Sequence, residues 1–302
     1  MQLLRRLATI GALSGGGYWF WRYLRPRHST LVLEDKVALI TGASSLLGKA
    51  LATGLARRGA RVILVAQDAS ALDVLRRELE PITSDVLVIP ADITDEQQLQ
   101  GVVRQALEHF DRIDVLVNNA NLMPVGQLHD QDPAQIEHAL RLNLWSVIRL
   151  TQAVLPQMAA QHQGYILNLG SGLGRVAAPL FSSYVASKYG LVGFTDALRR
   201  EVEGTGIYLT LVLAGWTQGD PVTPEIEELI RQRSFLVEPP DVVAERAILG
   251  LVNGENEIVM GGALAKLGVW AERVVPLAVR LYWRWNLTPH WVAGMSKLQS
   301  ER

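Results

Sequence analysis

Residues 36–50, KVALITGASSLLGKA, decide the fold. Val37–Ile40 is an apolar run of strand length. Thr41-Gly42 breaks it, and a helix-like stretch follows. A strand, a tight glycine turn and a helix start together form a pyrophosphate site, because backbone N–H groups and the positive end of the helix dipole face the phosphates. A glycine loop alone is a weak signal, but this one sits at the first strand of a βαβ unit, where such a loop belongs. Loops of this kind keep three glycines. Gly42 and Gly48 stand in place, whereas Leu46 occupies the middle position. The middle glycine lets the backbone approach the pyrophosphate closely, so a leucine there is expected to crowd the phosphates or move the loop. Weakened rather than abolished binding is expected, since a β-carbon removes no N–H donor.

Outward from this loop, apolar runs of strand length alternate with helix-length segments. The strand candidates are Val37–Ile40, Arg61–Ala66, Val86–Ile89, Ile113–Val117, Tyr165–Leu169, Ile207–Leu213 and Glu257–Met260. Amphipathic stretches such as Asp95–Phe110 and Pro133–Ala160 lie between them. Continuous apolar strands are buried on both faces, and β-then-α alternation implies right-handed crossovers and a parallel sheet. The fold class is α/β, a doubly wound parallel sheet of Rossmann type in a single domain. No internal repeat or low-complexity segment interrupts it.

The 302 residues suffice for one large domain with appended segments. A formal net charge of −1 argues against a general nucleic-acid binder. The absence of cysteine excludes disulfides, thiolate metal sites and a cysteine nucleophile, and no metal is expected in the site.

The two ends differ from the middle. Residues 1–30 hold an apolar run, Leu7 to Trp21, flanked by Arg5 and Arg6 and by Arg22, Arg25 and Arg27. The run is short for a membrane span, which needs ~20 apolar residues, and Gly15, Gly16 and Gly17 weaken it as a helix. Aromatic residues beside arginines suit a membrane–water interface. Residues 1–30 are therefore expected to be a membrane anchor or interfacial segment, with the domain of residues 31–262 on the cytoplasmic side. In residues 263–302, Lys266, Arg273, Arg280 and Arg284 share one helical face of an apolar, Trp-rich segment that Pro276 should kink. This C-terminal helical extension suits either a membrane surface or packing on the domain or on a second copy of the chain.

The chemistry is concentrated in SSYVASKYG, residues 182–190. Tyr184 and Lys188 are spaced i, i+4 and share a helix face. A free tyrosine titrates near ~10 and is a poor acid–base catalyst near neutrality. An adjacent ammonium stabilises the phenolate and lowers that value. Ser171 lies just past the end of the Tyr165–Leu169 strand, at the carboxyl edge of the sheet where ligands of such folds bind. It is thus placed to hydrogen-bond a substrate oxygen.

Between about Leu33 and Gly262 the chain resembles the short-chain dehydrogenase/reductase family. The resemblance rests on TGASSLLG, PADITD with Asp92, NNA (Asn118 to Ala120), LNL with Asn143, then Ser171 and the pair Tyr184 and Lys188, all in order and spacing. It implies a catalytic tetrad. Tyr184 would be the general acid for a carbonyl oxygen, Ser171 would position that oxygen, Lys188 would hold the nicotinamide ribose and tune the tyrosine, and Asn143 would hold a water in the proton relay. It also implies a cofactor site of Gly42, Ser44, Ser45, Leu47, Gly48, Gln67, Asp92, Ile93, Asn118, Ala120, Tyr184, Lys188, Gly215 and Thr217. Three positions depart from the family pattern: Leu46, Asn121 after NNA, and Ala214-Gly215 in place of Pro-Gly.

Family members that prefer NAD carry an acidic residue around Ala66, and those that prefer NADP often carry arginine at the next position, here Gln67. With neither present, the expectation is NADP, unless Asp68 swings in. Residues between Ala214 and Glu238, including Trp216, Phe235 and Leu236, are expected to cover the substrate. A lipophilic ketone or alcohol is the expected substrate, and the partners expected are that small molecule, a membrane surface and a second copy of the chain. The rival reading is a non-catalytic nucleotide-sensing or scaffolding protein on the same fold, since fold does not imply function.

Overall fold

The computed structural model describes residues 31–83, 85–219 and 236–286. The expected N-terminal anchor, Phe235 and the end of the C-terminal extension lie outside them. In chain order the strands are β1 (Val37–Thr41), β2 (Arg61–Ala66), β3 (Val86–Pro90), β4 (Val115–Asn118), β5 (Gly164–Ser171), β6 (Ile207–Ala214), β7 (Trp216–Thr217), β8 (Val237–Glu238) and β9 (Glu257–Val259). Seven of them form one parallel sheet, ordered β3-β2-β1-β4-β5-β6-β9, and β7 pairs with β8 beside it. Each expected strand is present within two residues of its expected ends.

The helices are α1 (Leu46–Ala56), α2 (Ala69–Leu79), α3 (Glu96–Phe110), α4 (Pro133–Leu140), α5 (Ser146–Ala160), α6 (Ser182–Glu201), α7 (Pro240–Val252), α8 (Gly262–Val274) and α9 (Pro276–Asn286). Four of their starts carry side-chain caps. The Asp68, Asp95 and Asp132 carboxylates accept from backbone N–H groups at the starts of α2, α3 and α4, as good N-caps do. Ser45 does the same for α1, accepting from Gly48 N.

Alternation along the strands feeds two cores. Ala38 and Ile40 join Leu51, Leu55, Leu72 and Ile248 on one face, under α1, α2 and α7. Val37 and Leu39 join Leu99, Val102, Leu150 and Leu198 on the other, under α3, α5 and α6. Successive side chains of a strand point to opposite faces, so one apolar run serves both layers. The strand order reverses direction between β1 and β4, and the carboxyl ends of those strands open the crevice where such sheets bind ligands.

Two segments depart from the expected helices. The stretch Pro133–Ala160 is broken by one wide turn of π type, Arg141–Trp145, which carries Asn143. Such turns are frequently found at functional sites. At the other end, Pro276 makes a full break rather than a kink. α8 ends at Val274, and Pro276 starts α9, where its missing N–H costs nothing.

Candidate active site

Gly42 adopts φ +62°, and a β-carbon there would lie 2.8 Å from the Ala120 Cα. The loop after β1 therefore touches the loop after β4. Asn119 fastens the two: its Nδ2 donates to the carbonyls of Thr41 and Gly42, both at 3.0 Å, and lies 3.3 Å from Ser45 Oγ. Gly48 is needed for a second reason, since a β-carbon there would meet the Gly42 carbonyl at 2.1 Å. Leu46 does not behave as the sequence suggests. Its side chain is 52% exposed and does not line the ligand cavity. It lies against Gly219 instead. The expected crowding of the phosphates is thereby corrected: at the first helical position the side chain leaves sideways from the loop.

A cavity of about 1070 Å³ runs from this loop along the sheet edge. It exceeds the ~300–1,000 Å³ of ordinary small-molecule sites, leaving room for two ligands side by side. Of the expected cofactor residues, Gly42, Ser44, Ser45, Leu47, Gln67, Ile93, Ala120, Gly215 and Thr217 line it. Gly48, Asp92 and Asn118 do not. Asn118 donates from Nδ2 to Asn168 Oδ1 at 2.8 Å, which ties β4 to β5 beneath the site. The Asp92 carboxylate accepts from the N–H and hydroxyl of Thr94 at 2.8 and 2.7 Å. Burial pushes that carboxyl up, and hydrogen bonds from Thr94 and Gln67 more than offset it, leaving it below its ordinary value. Asp68 lines the cavity, but its carboxylate is committed to capping α2, accepting from Ser70 Oγ at 2.6 Å and Ala71 N at 3.0 Å.

Ser171, Tyr184 and Lys188 all line the cavity. Ser171 ends β5, and its Oγ accepts the Leu173 N–H at 3.2 Å, which leaves the hydroxyl proton for a ligand oxygen. Tyr184 and Lys188 sit on the first turns of α6, and both are buried. The Lys188 Nζ donates to the Leu169 carbonyl at 3.1 Å and stands 5.6 Å from the centroid of the Tyr184 ring.

Asn143 is buried behind this wall rather than in it. Its Oδ1 accepts from Leu122 N at 2.8 Å, and its Nδ2 donates to Leu122 O at 2.7 Å and reaches Ser187 Oγ at 3.1 Å. Ser187 Oγ in turn donates to the Tyr184 carbonyl at 2.7 Å. The side chain thus clamps the β4 loop to the catalytic helix. Ser187 and Asn119 were not singled out in the sequence. Each lies inside a recognised stretch, but nothing in spacing alone separates a fastening polar residue from an exposed one.

Beyond Tyr184 the cavity becomes apolar. Met123, Val125, Ala178 and Phe181 form a buried cluster with Tyr184, and Trp216 and Trp283 pack on it. Phe181 and Trp216 rings lie 5.9 Å apart. The far wall is α8 and α9, through residues such as Gly268, Ala271, Val279 and Trp283. α8 and α9 therefore pack on the domain with one face. Their other face leaves Trp270, Val274, Leu277 and Trp285 exposed, with Lys266, Arg273, Arg280 and Arg284 also at the surface. No described helix is long and apolar enough to cross a membrane.

The geometry suits a dinucleotide. Gly42, Ser44 and Ser45 line the cavity, the start of α1 adds N–H donors, and the Asn121 amide oxygen is buried at the cavity wall with no partner among the described residues. Residues 36–229 match the family model described as short chain dehydrogenase. The chain is 34% identical over 235 residues to the 3-oxoacyl-[acyl-carrier-protein] reductase FabG of Thermotoga maritima, covering 76% of this chain and 95% of that protein. It is 30% identical to the mouse (Mus musculus) dehydrogenase/reductase SDR family member 7, covering 100% of this chain and 88% of the other. Its fold matches a crystal structure of an actinorhodin polyketide ketoreductase variant with NADPH, at a TM-score of 0.69 and 27% identity, over 76% of this chain and 97% of that one. With the glycine loop, the Ser171–Tyr184–Lys188 group and these matches in agreement, the chain belongs to the short-chain dehydrogenase/reductase family and is an NAD(P)-dependent oxidoreductase acting on carbonyl and alcohol groups.

Proposed function

We propose that the protein is a membrane-associated, NADPH-dependent reductase of a neutral lipophilic ketone, working in reverse on the corresponding alcohol. The observation that carries this reading is the single cavity in which Ser171, Tyr184 and Lys188 divide a glycine-lined half from an apolar half.

A bound reduced nicotinamide supplies the hydride that goes to the carbonyl carbon. Tyr184 Oη gives its proton to the carbonyl oxygen as charge develops there, which completes the alcohol. The Ser171 hydroxyl, held by Leu173 N–H, donates to the same oxygen and fixes its position. The Lys188 ammonium, kept beside the ring by Leu169, stabilises the phenolate left behind and is placed to hold the nicotinamide ribose. Asn143 acts through the backbone, since its side chain is spent on Leu122 and Ser187. A relay water would bind to main-chain atoms of the π turn.

Two features support NADPH over NADH. Ala66 places no carboxylate where a 2′-phosphate would sit, and Asp68 is turned onto the α2 cap. The ketoreductase neighbour was also solved with NADPH. Membrane association is supported by the outer face of α8 and α9, where exposed tryptophan and aliphatic side chains sit among basic ones. The test is a panel of ketones offered with NADPH and with NADH, reading cofactor oxidation, together with flotation of the protein with anionic vesicles. Oxidation of NADPH by apolar ketones supports the reading. No oxidation of either cofactor by any ketone overturns it, and flotation failure removes the membrane part alone.

A further inference from the structure

We propose that the apolar half of the cavity opens through a mouth on the outer side of α8 and α9, and that the substrate enters it directly from an anionic bilayer. The inference deepens the proposed reduction of a lipophilic ketone and rests on it. Three residues line the cavity and are also well exposed: Leu236 at 54%, Leu267 on α8 at 57% and Tyr282 on α9 at 46%. Side chains that are cavity wall and protein surface at once mark a mouth. The rim is continuous with the interior. The Tyr282 ring lies 5.3 Å from that of Trp283, and Trp283 packs on the buried cluster of Phe181, Met123 and Tyr184. Leu236 Cδ2 comes within 3.8 Å of a β-carbon built on Gly262, which places it at the start of α8. The mouth therefore leads towards Tyr184 and not to the glycine loop.

The surface around this mouth is built for a charged bilayer. On α8, Lys266, Trp270 and Val274 are exposed at i, i+4 and i+8. On α9, Leu277, Arg280, Arg284 and Trp285 are exposed at i, i+3, i+7 and i+8. Each set covers one helix face, while Val269, Val279 and Trp283 line the cavity on the other. Long basic side chains lay their stems along apolar surface and keep their heads in the polar layer, which suits a lipid headgroup region. Residues 262–286 hold four basic side chains and one acidic one, Glu272. Arg273 reaches Glu257 at 3.5 Å, which leaves Lys266, Arg280 and Arg284 as the outward charges. That excess selects an anionic surface over a neutral one. A lipophilic ketone concentrates in the bilayer, because leaving it exposes apolar area to water. A mouth in the headgroup layer meets the substrate where it is stored.

The experiment uses the full-length protein loaded with NADPH and a pyrene-labelled long-chain ketone held in phosphatidylcholine vesicles, with or without phosphatidylserine. The vesicles also carry a non-exchangeable quencher, so transfer to the protein appears as a rise in pyrene emission. Entry by contact makes the transfer rate grow with vesicle concentration and with phosphatidylserine. Entry through water is set by escape from the vesicle and does not depend on vesicle concentration. We expect the first. Arg280→Glu combined with Arg284→Glu changes side chains that line no part of the cavity. It should slow transfer from the anionic vesicles roughly tenfold or more, with kcat/KM for a short water-soluble ketone unchanged in the absence of vesicles. Lys266→Glu, on α8, is an independent second variant. No transfer, a rate independent of vesicle concentration, or variants that transfer as fast as wild type overturn the proposal. A variant that lowers the oligomeric mass in light scattering also overturns it, since the face then belongs to a second copy of the chain. Transfer is read without chemistry, so contact-dependent transfer with no ketone reduced would sink the reductase reading and still establish the mouth.

Discussion

Leu46 lies against Gly219: a β-carbon built on Gly219 would sit 2.4 Å from Leu46 Cδ1. The loop after β1 and the segment after β7 are therefore in contact, through the one residue that departs from the three-glycine pattern. The side chain reaches sideways and out of the cavity.

The consequence for Leu46→Gly is a cofactor affinity within about threefold of wild type, since no group facing the phosphates is changed. Fluorescence titration with NADPH reads this. A tightening of tenfold or more would restore the crowding that the sequence suggested.

Asn119 should matter more than any glycine-loop side chain. Its amide holds the Thr41 and Gly42 carbonyls and approaches Ser45. Asn119→Ala takes a buried donor from the Thr41 carbonyl, while the Gly42 carbonyl keeps the Ser45 N–H and hydroxyl, at a cost of roughly 1–3 kcal/mol. We expect a lower midpoint in urea unfolding and a weaker NADPH affinity. An unchanged midpoint would show that the two loops hold their places without the amide.

Arg175 links three elements: the loop after Ser171, Asp196 on α6 at 2.9 Å and Glu257 on β9 at 2.5 Å. Burial pushes the Asp196 carboxyl up, but hydrogen bonds from Arg199 and Arg175 hold it below its ordinary value. A depressed carboxyl stabilises the fold above its unfolded value and loses that contribution as pH falls through the folded one. Arg175→Met should therefore lose about 1–2 kcal/mol at neutral pH, a gap that narrows below roughly pH 4. Urea unfolding of both forms from pH 7 to pH 3 checks it. A gap that stays constant across that range would assign the loss to packing rather than to charge.

The sheet was legible because its strands are largely apolar runs closed by turns. Ser171, Tyr184 and Lys188 were legible because a fixed spacing on one helix and one strand end carries their geometry. The hidden parts depend on three-dimensional neighbours. The direction of Leu46 follows from where Gly219 lies, far along the chain. Asn118 and Asn119 look alike in sequence, yet alternation along β4 turns the first into the sheet and leaves the second at the loop. The basic stripe of Lys266, Arg273, Arg280 and Arg284 lies at the surface of α8 and α9, while the inner face that walls the cavity is made of residues such as Gly, Ala, Val and Trp that any buried helix could carry.

Lys188→Met should separate two roles. The lysine sits beside the Tyr184 ring and is assigned to the nicotinamide ribose as well, so both turnover and NADPH affinity should fall. A loss of rate with unchanged affinity would limit Lys188 to tuning the tyrosine.

The decisive comparison is turnover of Tyr184→Phe against wild type, on a ketone that wild type reduces and at saturating NADPH. The substitution removes one hydroxyl and keeps the ring that packs with Phe181 and Met123. Loss of the general acid should lower kcat by roughly 10²–10⁴-fold or more, with NADPH affinity and folding unchanged. Wild-type turnover by Tyr184→Phe would mean that the proton comes from elsewhere, and the assignment of Ser171, Tyr184 and Lys188 as the catalytic group would fall.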